Sequence, residues 1–340
     1  MEFSRTYTTI DAHTAGEPLR IITSGLPFIP GTTVLERRRY VREHLDHVRQ
    51  TLMLEPRGHA DMYGAILTPP VSSDADFGVI FLHNEGYSSM CGHGVIALAT
   101  VAVATGMVTA QIGETRVAMD TPAGFVEACA EWDGHKVGRV RFKNVPSFVY
   151  RSNLEIQTAS FGKLVVDVVF GGAFYAYLNA AQAHLEVRPN DYANLIKLGH
   201  EVKHAVEAVC EVVHPLEPEL RGIYGAMIDG EPFSSATNAA EVRQSNVCVF
   251  ADRQVDRSPT GTGTAGRVAQ LFAQGKLQMG QTLVNESIVG TAFQGRVLEE
   301  TRVADFPAVI SEVSGRASVT GYHTFVVDAD DPLPNGFFLR

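Results

Sequence analysis

The stretch Met90-Cys91-Gly92-His93-Gly94-Val95-Ile96-Ala97-Leu98 is a small-residue turn that opens an apolar segment, and it occurs a second time in altered form. The second copy is Pro259-Thr260-Gly261-Thr262-Gly263-Thr264-Ala265-Gly266-Arg267-Val268-Ala269. When the Gly-x-Gly pairs are aligned, Cys91 falls on Thr260, 169 residues later, which is half of the 340-residue chain. The spacing therefore predicts a duplicated unit in which each copy has one helix that begins at this turn.

The segments that flank the two turns also correspond in order. Tyr-Gly-Ala-Ile at residues 63–66 matches Tyr-Gly-Ala-Met at residues 224–227, and we expect both at the end of a strand. Both helices are expected to end at a glycine, Gly106 and Gly275, because glycine is a common C-terminal stop. A chance recurrence of Gly-x-Gly is the alternative, and the shared order of features argues against it.

Strand-like patterns surround each turn. The sequence therefore predicts an α+β fold of two pseudo-symmetric lobes, each a barrel of strands wrapped around a central helix. The register of the repeat predicts the first lobe at residues 1–158, with its helix from Cys91, and the second at residues 159–325, with its helix from Thr260. The C-terminal segment 326–340 is predicted to return to the first lobe.

The composition is that of a folded globular protein, with 45% hydrophobic and 19% charged residues. The net charge of −10 at pH 7, without a run of six like charges, argues against a nucleic-acid or anionic-membrane partner. The longest apolar stretch, residues 94–108, is too short to span a bilayer and predicts a helix that is buried on all sides.

The cysteines and the N-terminus favour a cytoplasmic location. Four cysteines in a chain of this length, with no C-x-x-C pair, do not form a disulfide scaffold and argue against zinc. The first residues lack the basic and then apolar pattern of a secretory signal. A reducing cytoplasm is the expected compartment.

A helix that begins at each turn has chemical consequences. Its first N–H groups have no intrahelical partner, and its N-terminus carries about half a positive charge. Two such ends that face each other across a lobe interface would bind a carboxylate from both sides, and glycines would allow the close approach.

Cys91 stands at the first of these ends, a position that lowers the pKa of a thiol and makes it a base or nucleophile near neutral pH. The alternative is a small buried hydrophobe, but the residues on either side of Cys91 do not resemble a core. Asp256 precedes the second turn, where its carboxylate could pair with a substrate ammonium. A capping or turn role for Asp256 is an equal alternative.

Two familiar motifs occur in contexts that do not support them. Residues 200–204 fit the H-E-x-x-H zinc pattern, but both histidines lie opposite a predicted apolar helical stripe. The members of that stripe are Leu195, Leu198, Val202, Val206, Val209 and Val213. Residues 261–266 fit G-x-G-x-x-G, but a polar segment separates them from the preceding strand. We therefore expect neither a metal nor a nicotinamide cofactor.

At these residues the sequence resembles the proline racemase family. Met90-Cys91-Gly92-His93-Gly94 matches the first-site motif of the family, and residues 256–264 match its second-site motif. Further blocks that resemble the family lie at residues 11–18, 57–64 and 286–290. The resemblance extends from about residue 7 to residue 325.

The resemblance implies a diaminopimelate-epimerase-like fold with the substrate between the central helices of the two lobes. It implies that Cys91 is a catalytic base and that Asp256, alone or together with His93, meets the ring nitrogen of a proline-like amino acid. It also implies a homodimer without a cofactor. Backbone N–H groups that would hold the substrate carboxylate are those of Gly92, His93, Gly261 and Thr262.

One departure from the family pattern bears on the reaction, because racemases and hydroxyproline epimerases of this family carry a second cysteine where this chain has Thr260. Inversion at an α-carbon needs an acid or base on each face, and the pKa of a threonine hydroxyl is too high for that role. The Cys/Thr pairing resembles the branch that dehydrates trans-3-hydroxy-L-proline to Δ1-pyrroline-2-carboxylate. Cys91 would then remove the α-proton, the 3-hydroxyl would leave, and Thr260 would hydrogen-bond that hydroxyl or a water.

Two alternatives stay open. The first is a hydroxyproline epimerase or proline racemase in which another group replaces the second cysteine. The second, from a different class, is a catalytically dead amino-acid-binding protein with two lobes. The intact motif around Cys91 argues against the binding protein.

Overall fold

The computed structural model describes residues 2–234, 238 and 240–339. Residue 1, the first of the predicted first lobe, and residue 340, the last of the predicted C-terminal segment, lie outside the described residues. The chain divides into two compact units. The first unit contains the chain up to Val140 and again from Arg316 onward, and the second unit is Arg141–Gly315. None of the described helices combines the length and the apolar character that crossing a bilayer requires.

The described strands and helices are numbered along the chain. The first nine strands are β1 (Phe3–Thr14), β2 (Glu17–Ser24), β3 (Tyr63–Thr68), β4 (Phe77–His83), β5 (Tyr87–Ser88), β6 (Gly113–Thr121), β7 (Gly124–Trp132), β8 (Val137–Lys143) and β9 (Ser147–Thr158). The others are β10 (Gly162–Phe170), β11 (Phe174–Asn179), β12 (Gly225–Gly230), β13 (Glu241–Phe250), β14 (Gln254–Asp256), β15 (Thr282–Ser287), β16 (Ala292–Val303), β17 (Phe306–Gly315) and β18 (Ala317–Asp328). The α-helices are α1 (Val34–His44), α2 (Asp46–Met53), α3 (Gly92–Ala104), α4 (Tyr192–Val209) and α5 (Gly261–Ala273), and short 3₁₀ helices occupy Ala180–Ala183 and Pro189–Asp191.

The first unit places helix α3 against a mixed sheet. Strand β1 lies between β18 and β2 and is antiparallel to both. Strand β2 pairs in parallel with β3, β3 is antiparallel to β4, β4 pairs in parallel with β6, and β6 is antiparallel to β7. Helix α3 packs against β1, β2, β6, β7 and β18, and every residue from Gly92 to Val103 is buried. The predicted helix at residues 94–108 is therefore buried on all sides as far as Val103, but it ends at Ala104, and residues 104–107 are exposed.

The second unit is a closed ring of strands around helix α5. In order around the ring the strands are β9, β10, β11, β12, β13, β15, β16 and β17. Pairing of β17 with β9, at Ala308 opposite Phe148, closes the ring. Helix α5 packs against β9, β10, β16 and β17, whereas α4 packs against β9, β11, β12 and β13. This unit therefore has the predicted barrel with a central helix.

The two units repeat the same sequence of pairings, as the duplication predicts. Each contains an antiparallel pair (β1–β2 or β10–β11), a parallel step (β2–β3 or β11–β12), a second antiparallel pair and a second parallel step around the buried helix. Helices α3 and α5 both have 13 residues. The glycines that follow them, Gly106 with φ 74° and Gly275 with φ 68°, adopt the left-handed conformation of a helix stop, as predicted.

The unit boundaries differ from the predicted lobes at residues 1–158 and 159–325. Strand β9 pairs with β10 and β17 of the second unit, so residues 147–158 belong there. Strand β18 pairs along its length with β1, so the return to the first unit begins at Arg316, ahead of the predicted segment 326–340. Both differences have the same cause. Pairing between strands that are distant in sequence decides which unit a strand belongs to, and the register of the repeat does not reveal this pairing.

The two Tyr-Gly-Ala segments begin strands, so the prediction that they end strands is wrong. Strand β3 begins at Tyr63 and strand β12 at Gly225. The glycine in each segment resembles a strand terminator, but here close packing explains it. A Cβ atom on Gly225 would lie 2.6 Å from the carbonyl oxygen of Val249 on the neighbouring strand, so only glycine fits.

Helix α4, which carries the H-E-x-x-H pattern, has the predicted apolar face over most of its length. Its buried residues are Leu195, Leu198, Gly199, Val202 and Val206. The prediction is wrong for the last two residues of the stripe. Val209 is the last residue of the helix and is 58% exposed, and Val213 lies beyond the end of the helix. Glu201 accepts a hydrogen bond from the backbone N–H of Ser160 at 2.8 Å, a structural contact.

Candidate active-site residues

Cys91 is the N-cap of helix α3, and its thiol is bound at the helix N-terminus. Its backbone is extended (φ −142°, ψ 105°), and the backbone N–H of Gly94 donates to Sγ at 3.2 Å. The residue is 4% exposed. An N–H donor and the positive end of a helix dipole both favour the thiolate over the thiol. This is the environment that the sequence predicts for a base.

Gly94 makes this contact possible. A Cβ atom at this position would lie 2.9 Å from Sγ of Cys91 and 2.6 Å from Cε1 of Phe81. Both distances are shorter than real Cβ contacts, so only glycine brings the N–H this close to the sulfur. The second glycine of the Gly-x-Gly pair thus has a steric role that the sequence pattern alone does not specify.

His93 lies beside the thiol and is held from two directions. Its Nδ1 is 3.3 Å from Sγ of Cys91, and its ring packs edge-on against Tyr63 with centroids 4.8 Å apart. Its carbonyl oxygen accepts a hydrogen bond from Oγ1 of Thr14 at 2.8 Å. His93 is 3% exposed, so the imidazole belongs to a fixed cluster that includes the thiol.

Thr260 is the N-cap of helix α5, but its geometry differs from that of Cys91. It has the same ψ, 105°, and a φ of 62°, which is uncommon for a β-branched residue. Its side chain makes no capping hydrogen bond, and Oγ1 is a buried atom without a hydrogen-bond partner. A threonine N-cap usually accepts from the first turn of its helix, so this hydroxyl is available for another partner.

The first turn of helix α5 is fixed by two tyrosines from strand β11. Tyr175 Oη and Thr262 Oγ1 share a hydrogen bond of 2.7 Å, and Tyr177 Oη donates to the carbonyl oxygen of Gly263 at 2.7 Å. Burial raises the pKa of both tyrosines well above the usual value, so they stay neutral. These tyrosines therefore position the helix start and are not candidate bases.

Asp256 ends strand β14, and it is 6% exposed. Its Oδ1 accepts from the backbone N–H of Ser258 at 2.8 Å. This is the turn contact that the sequence predicts as the equal alternative to a substrate-binding role. A role toward a substrate ammonium stays a prediction, because one carboxylate oxygen already serves the turn.

The structure brings the predicted residues together within each unit. Cys91, Gly92 and His93 form one cluster at the start of α3. Asp256, Thr260, Gly261 and Thr262 form a second cluster at the start of α5. Within the described residues no set of three His, Cys, Asp or Glu side chains is arranged to hold a metal ion. Such clusters of N–H donors and a thiol are suited to binding a carboxylate and moving a proton.

Several residues that contact these clusters, or the residues Pro259, Gly263 and Thr264 beside the second cluster, were not predicted. They are Thr14, Tyr63, Tyr175, Tyr177, Asn246, Ser258 and Asn285. Thr14 and Tyr63 lie within the blocks 11–18 and 57–64, and Asn285 directly precedes the block 286–290, so the blocks carried a signal. Nothing in the pattern around Asn246 distinguishes it from any other strand residue.

A surface pocket of about 380 Å³ in the second unit lies away from these residues. It borders the second half of α5, and its polar groups bind one another. Asp167 accepts from Gln270 at 2.7 Å, and Asp229 pairs with Arg267 at 3.1 Å. Its lining includes none of the predicted site residues.

Comparisons with known proteins extend over nearly the whole chain. The family model described as proline racemase matches residues 9–338. Trans-3-hydroxy-L-proline dehydratase of Burkholderia cenocepacia is 55% identical, and 3-hydroxyproline 2-epimerase of Burkholderia multivorans is 54% identical, each over 340 residues and all of both chains. A crystal structure of a hydroxyproline epimerase from Agrobacterium vitis, with bound trans-4-hydroxy-L-proline, has a TM-score of 0.91 at 31% identity and covers 100% of this chain and 97% of its own. The predicted fold class and family resemblance are thereby confirmed.

Proposed function

This chain belongs to the proline racemase family, and we propose that it dehydrates trans-3-hydroxy-L-proline to Δ1-pyrroline-2-carboxylate. In this proposal the two helix N-termini hold the substrate carboxylate through the backbone N–H groups of Gly92, His93, Gly261 and Thr262. Asp256, with His93, meets the ring nitrogen. In the same proposal the Cys91 thiolate and the Thr260 hydroxyl both act on the substrate.

The observation that carries the proposal is the difference between the two N-caps. A thiol at Cys91 accepts an N–H at the start of one helix, and an unpartnered hydroxyl at Thr260 occupies the equivalent position of the other. A thiolate can remove an α-proton near neutral pH, whereas a threonine hydroxyl cannot readily return one. One-sided deprotonation favours loss of a neighbouring leaving group over inversion.

The proposed reaction balances with these groups alone. The thiolate of Cys91 takes the α-proton, and the freed electron pair forms a C2–C3 double bond as the C3–O bond breaks. The hydroxyl leaves as water by taking up a proton equivalent to the one that Cys91 removed, which returns Cys91 to the thiolate, and Thr260 hydrogen-bonds that hydroxyl or a water. The enamine gains a proton at C3 and loses one from nitrogen, which gives Δ1-pyrroline-2-carboxylate.

Epimerisation of 3-hydroxyproline at C2 is the second candidate, and the 54% identical 3-hydroxyproline 2-epimerase supports it. Incubation of the purified protein with trans-3-hydroxy-L-proline in D2O, followed by NMR, distinguishes the two. A dehydratase releases a pyrroline that carries deuterium at C3. An epimerase produces cis-3-hydroxy-D-proline that carries deuterium at C2, and this product alone would contradict the proposal.

Two variants test the residues in the same assay. Cys91→Ser should abolish turnover with retained binding of the substrate, and unchanged turnover would contradict the role of Cys91.

Thr260→Cys should gain measurable inversion at C2, because a second thiol supplies the missing acid. Absence of any inversion in a variant that binds substrate would contradict the proposal that Thr260 contacts the substrate.

We further propose a homodimer in the cytoplasm, as the family resemblance implies. None of the four cysteines, all of which the structure describes, takes part in a disulfide bond, which is consistent with a reducing compartment. Sedimentation of the purified protein tests the oligomeric state, and fractionation of source cells tests the location.

A further inference from the structure

The backbone at Thr260 requires an explanation. The two N-caps share ψ 105° and differ in φ, −142° at Cys91 and 62° at Thr260. A left-handed φ is costly for a β-branched side chain and persists only where the surroundings hold it. Because φ is the rotation about N–Cα, its value depends on how the preceding peptide, between Pro259 and Thr260, is oriented.

That peptide is held at both ends. Three donors converge on the carbonyl oxygen of Pro259: Asn246 Nδ2 at 3.0 Å, Thr264 Oγ1 at 3.1 Å and Asn285 Nδ2 at 3.4 Å. At the other end the backbone N–H of Thr260 donates to Oγ of Ser258 at 3.1 Å. All four side chains belong to residues that are at most 1% exposed, so water does not compete for these bonds.

The direction of the Asn285 amide is fixed by a chain of side chains. Its Oδ1 accepts from Gln244 Nε2 at 3.0 Å, and Gln244 Oε1 accepts from Arg267 Nε at 2.8 Å. With Oδ1 engaged in this way, the NH2 group of Asn285 points to Thr264 Oγ1 at 2.9 Å and to the Pro259 carbonyl. Asn246 uses its NH2 group on the same carbonyl, and its Oδ1 has no partner.

The consequence falls on the hydroxyl of Thr260. A cap with the backbone of Cys91 directs its side-chain acceptor to the first turn of its own helix, as Sγ does toward Gly94. With φ at 62°, Thr260 makes no such bond, and Oγ1 is buried without a partner although the residue is only 5% exposed. Burial of a hydroxyl without a hydrogen bond is unfavourable. We therefore expect this hydroxyl to form a hydrogen bond when substrate is bound.

We propose that Asn246 and Asn285 are positioning residues that hold the Pro259 carbonyl and so keep the Thr260 hydroxyl directed at the substrate. This inference rests on the proposed function, in which Thr260 hydrogen-bonds the departing hydroxyl or a water. Neither asparagine touches the substrate in this proposal. Their effect reaches the reaction only through the orientation of one peptide.

Asn246→Ala is the cleanest test, because the NH2 group of Asn246 donates to the Pro259 carbonyl and the substitution also removes an oxygen that has no hydrogen-bond partner. We expect kcat for dehydration to fall about tenfold to a hundredfold, the usual cost of a misplaced group, with KM changed less than about threefold. In a Thr260→Val background, where the hydroxyl is already absent, Asn246→Ala should lower kcat no further. Thr158→Val removes a buried hydroxyl from the turn between β9 and β10 of the same unit, away from these residues, and should leave kcat near that of the wild type.

The outcomes separate this inference from the proposed function. An unchanged kcat in folded Asn246→Ala, or an equal loss in the Thr260→Val background, would overturn the positioning role. Wild-type protein that produces only inverted hydroxyproline would instead overturn the dehydration, and the same coupling would then be measured on inversion. If Asn246→Ala fails to fold, Thr264→Val removes a second donor from the same carbonyl at constant shape and is expected to show the same coupling.

Discussion

At the scale of single residues, the positive φ of Thr260 makes a prediction about stability. An L-residue with a side chain costs roughly 1–2 kcal/mol in the left-handed region, whereas glycine adopts it freely. Thr260→Gly should therefore be more stable than Thr260→Ala, since both lose the hydroxyl and methyl and only alanine retains Cβ. A difference of about 1 kcal/mol corresponds to roughly 2–4 °C in Tm for a unit of this size. Differential scanning calorimetry of the two variants measures it.

The equivalent pair at Cys91 is the matched control. With φ at −142° no strain is present, and glycine there only adds entropy to the unfolded chain. Cys91→Ala should accordingly be more stable than Cys91→Gly by about 0.5–1 kcal/mol, the reverse order. The same order at both positions would contradict a strained backbone at Thr260.

The residues of the candidate site differ in whether the sequence alone could predict them. Cys91 and His93 lie two residues apart, and local motifs placed both at a helix start, where the structure has them. Asn246 and Asn285 could not be predicted, because they reach Pro259 across 13 and 26 residues of sequence. Such contacts depend on strand register, which the sequence pattern does not define.

At the scale of elements, the segment after helix α4 carries a buried histidine whose ionisation affects stability. His214 packs against the rings of Phe170 and Phe148, with centroids 4.7 and 5.6 Å away. Its Nδ1 accepts the backbone N–H groups of Leu216 and Glu217 at 3.3 and 3.2 Å, which requires a neutral ring. Burial lowers the pKa of His214 below the usual 6.5, and the charge of Glu217 opposes this only in part.

Because the pKa of His214 is lower in the folded state, the unfolded chain binds more protons below pH 6.5. Stability should therefore fall as the pH drops from 8 through 6.5 and level off below the pKa of the folded state. The contribution of one such group is at most about 1.4 kcal/mol per pH unit. His214→Asn keeps an acceptor near Nδ1 and cannot titrate, so its Tm should depend less steeply on pH between 8 and 5.5.

A substitution that leaves every histidine in place provides the control for this slope. Gln157→Asn, at an exposed position of strand β9 in the same unit, introduces the same side chain and removes no titrating group, so it should keep the pH dependence of the wild type. Burial also lowers the pKa of His47 and His200, so part of the slope will persist in His214→Asn. Identical slopes for His214→Asn and the wild type would contradict the coupling of this histidine to folding.

Elements were predictable where local chemistry decides them. Glycines gave the ends of α3 and α5 to within two residues, because only the left-handed stop matters there. The end of α4 was not predictable from its apolar stripe. The helix ends at Val209, and Val212 and His214, which follow it, are buried in the core. Tertiary packing, which the sequence pattern does not reveal, therefore determines where this helix ends.

At the scale of the whole molecule, the duplication was visible in the sequence and the division of the chain was not. The helix positions repeat at a constant offset, so aligned turns revealed two copies. The strands that complete each copy are assigned by pairing between distant segments, such as β18 with β1. Two hydrophobic clusters are consistent with this division. One joins Val327 to buried residues between Tyr7 and Leu82, and another joins buried residues between Phe148 and Ala308.

This division predicts which fragments fold. Residues 141–315 contain a closed ring of strands and their own clusters, so this fragment of 175 residues should unfold cooperatively. The expected enthalpy is about 120 kcal/mol near 60 °C, with a heat-capacity change of about 2–2.6 kcal/mol/K. Calorimetry of the purified fragment checks both values.

The first unit should behave differently, because its strands come from both ends of the chain. Residues 1–140 alone lack β18, which pairs with β1 from Phe3 to Thr14 and supplies the buried Val327. We expect no cooperative transition from this fragment. A matched chain in which residues 316–340 are joined through a Gly/Ser linker to residue 1 restores the strand and should regain one. The reason is that a missing strand leaves an unpaired sheet edge and a gap in the core, which hydrophobic burial elsewhere cannot offset. A cooperative transition from residues 1–140 alone, or none from residues 141–315, would contradict the assignment of strands to units.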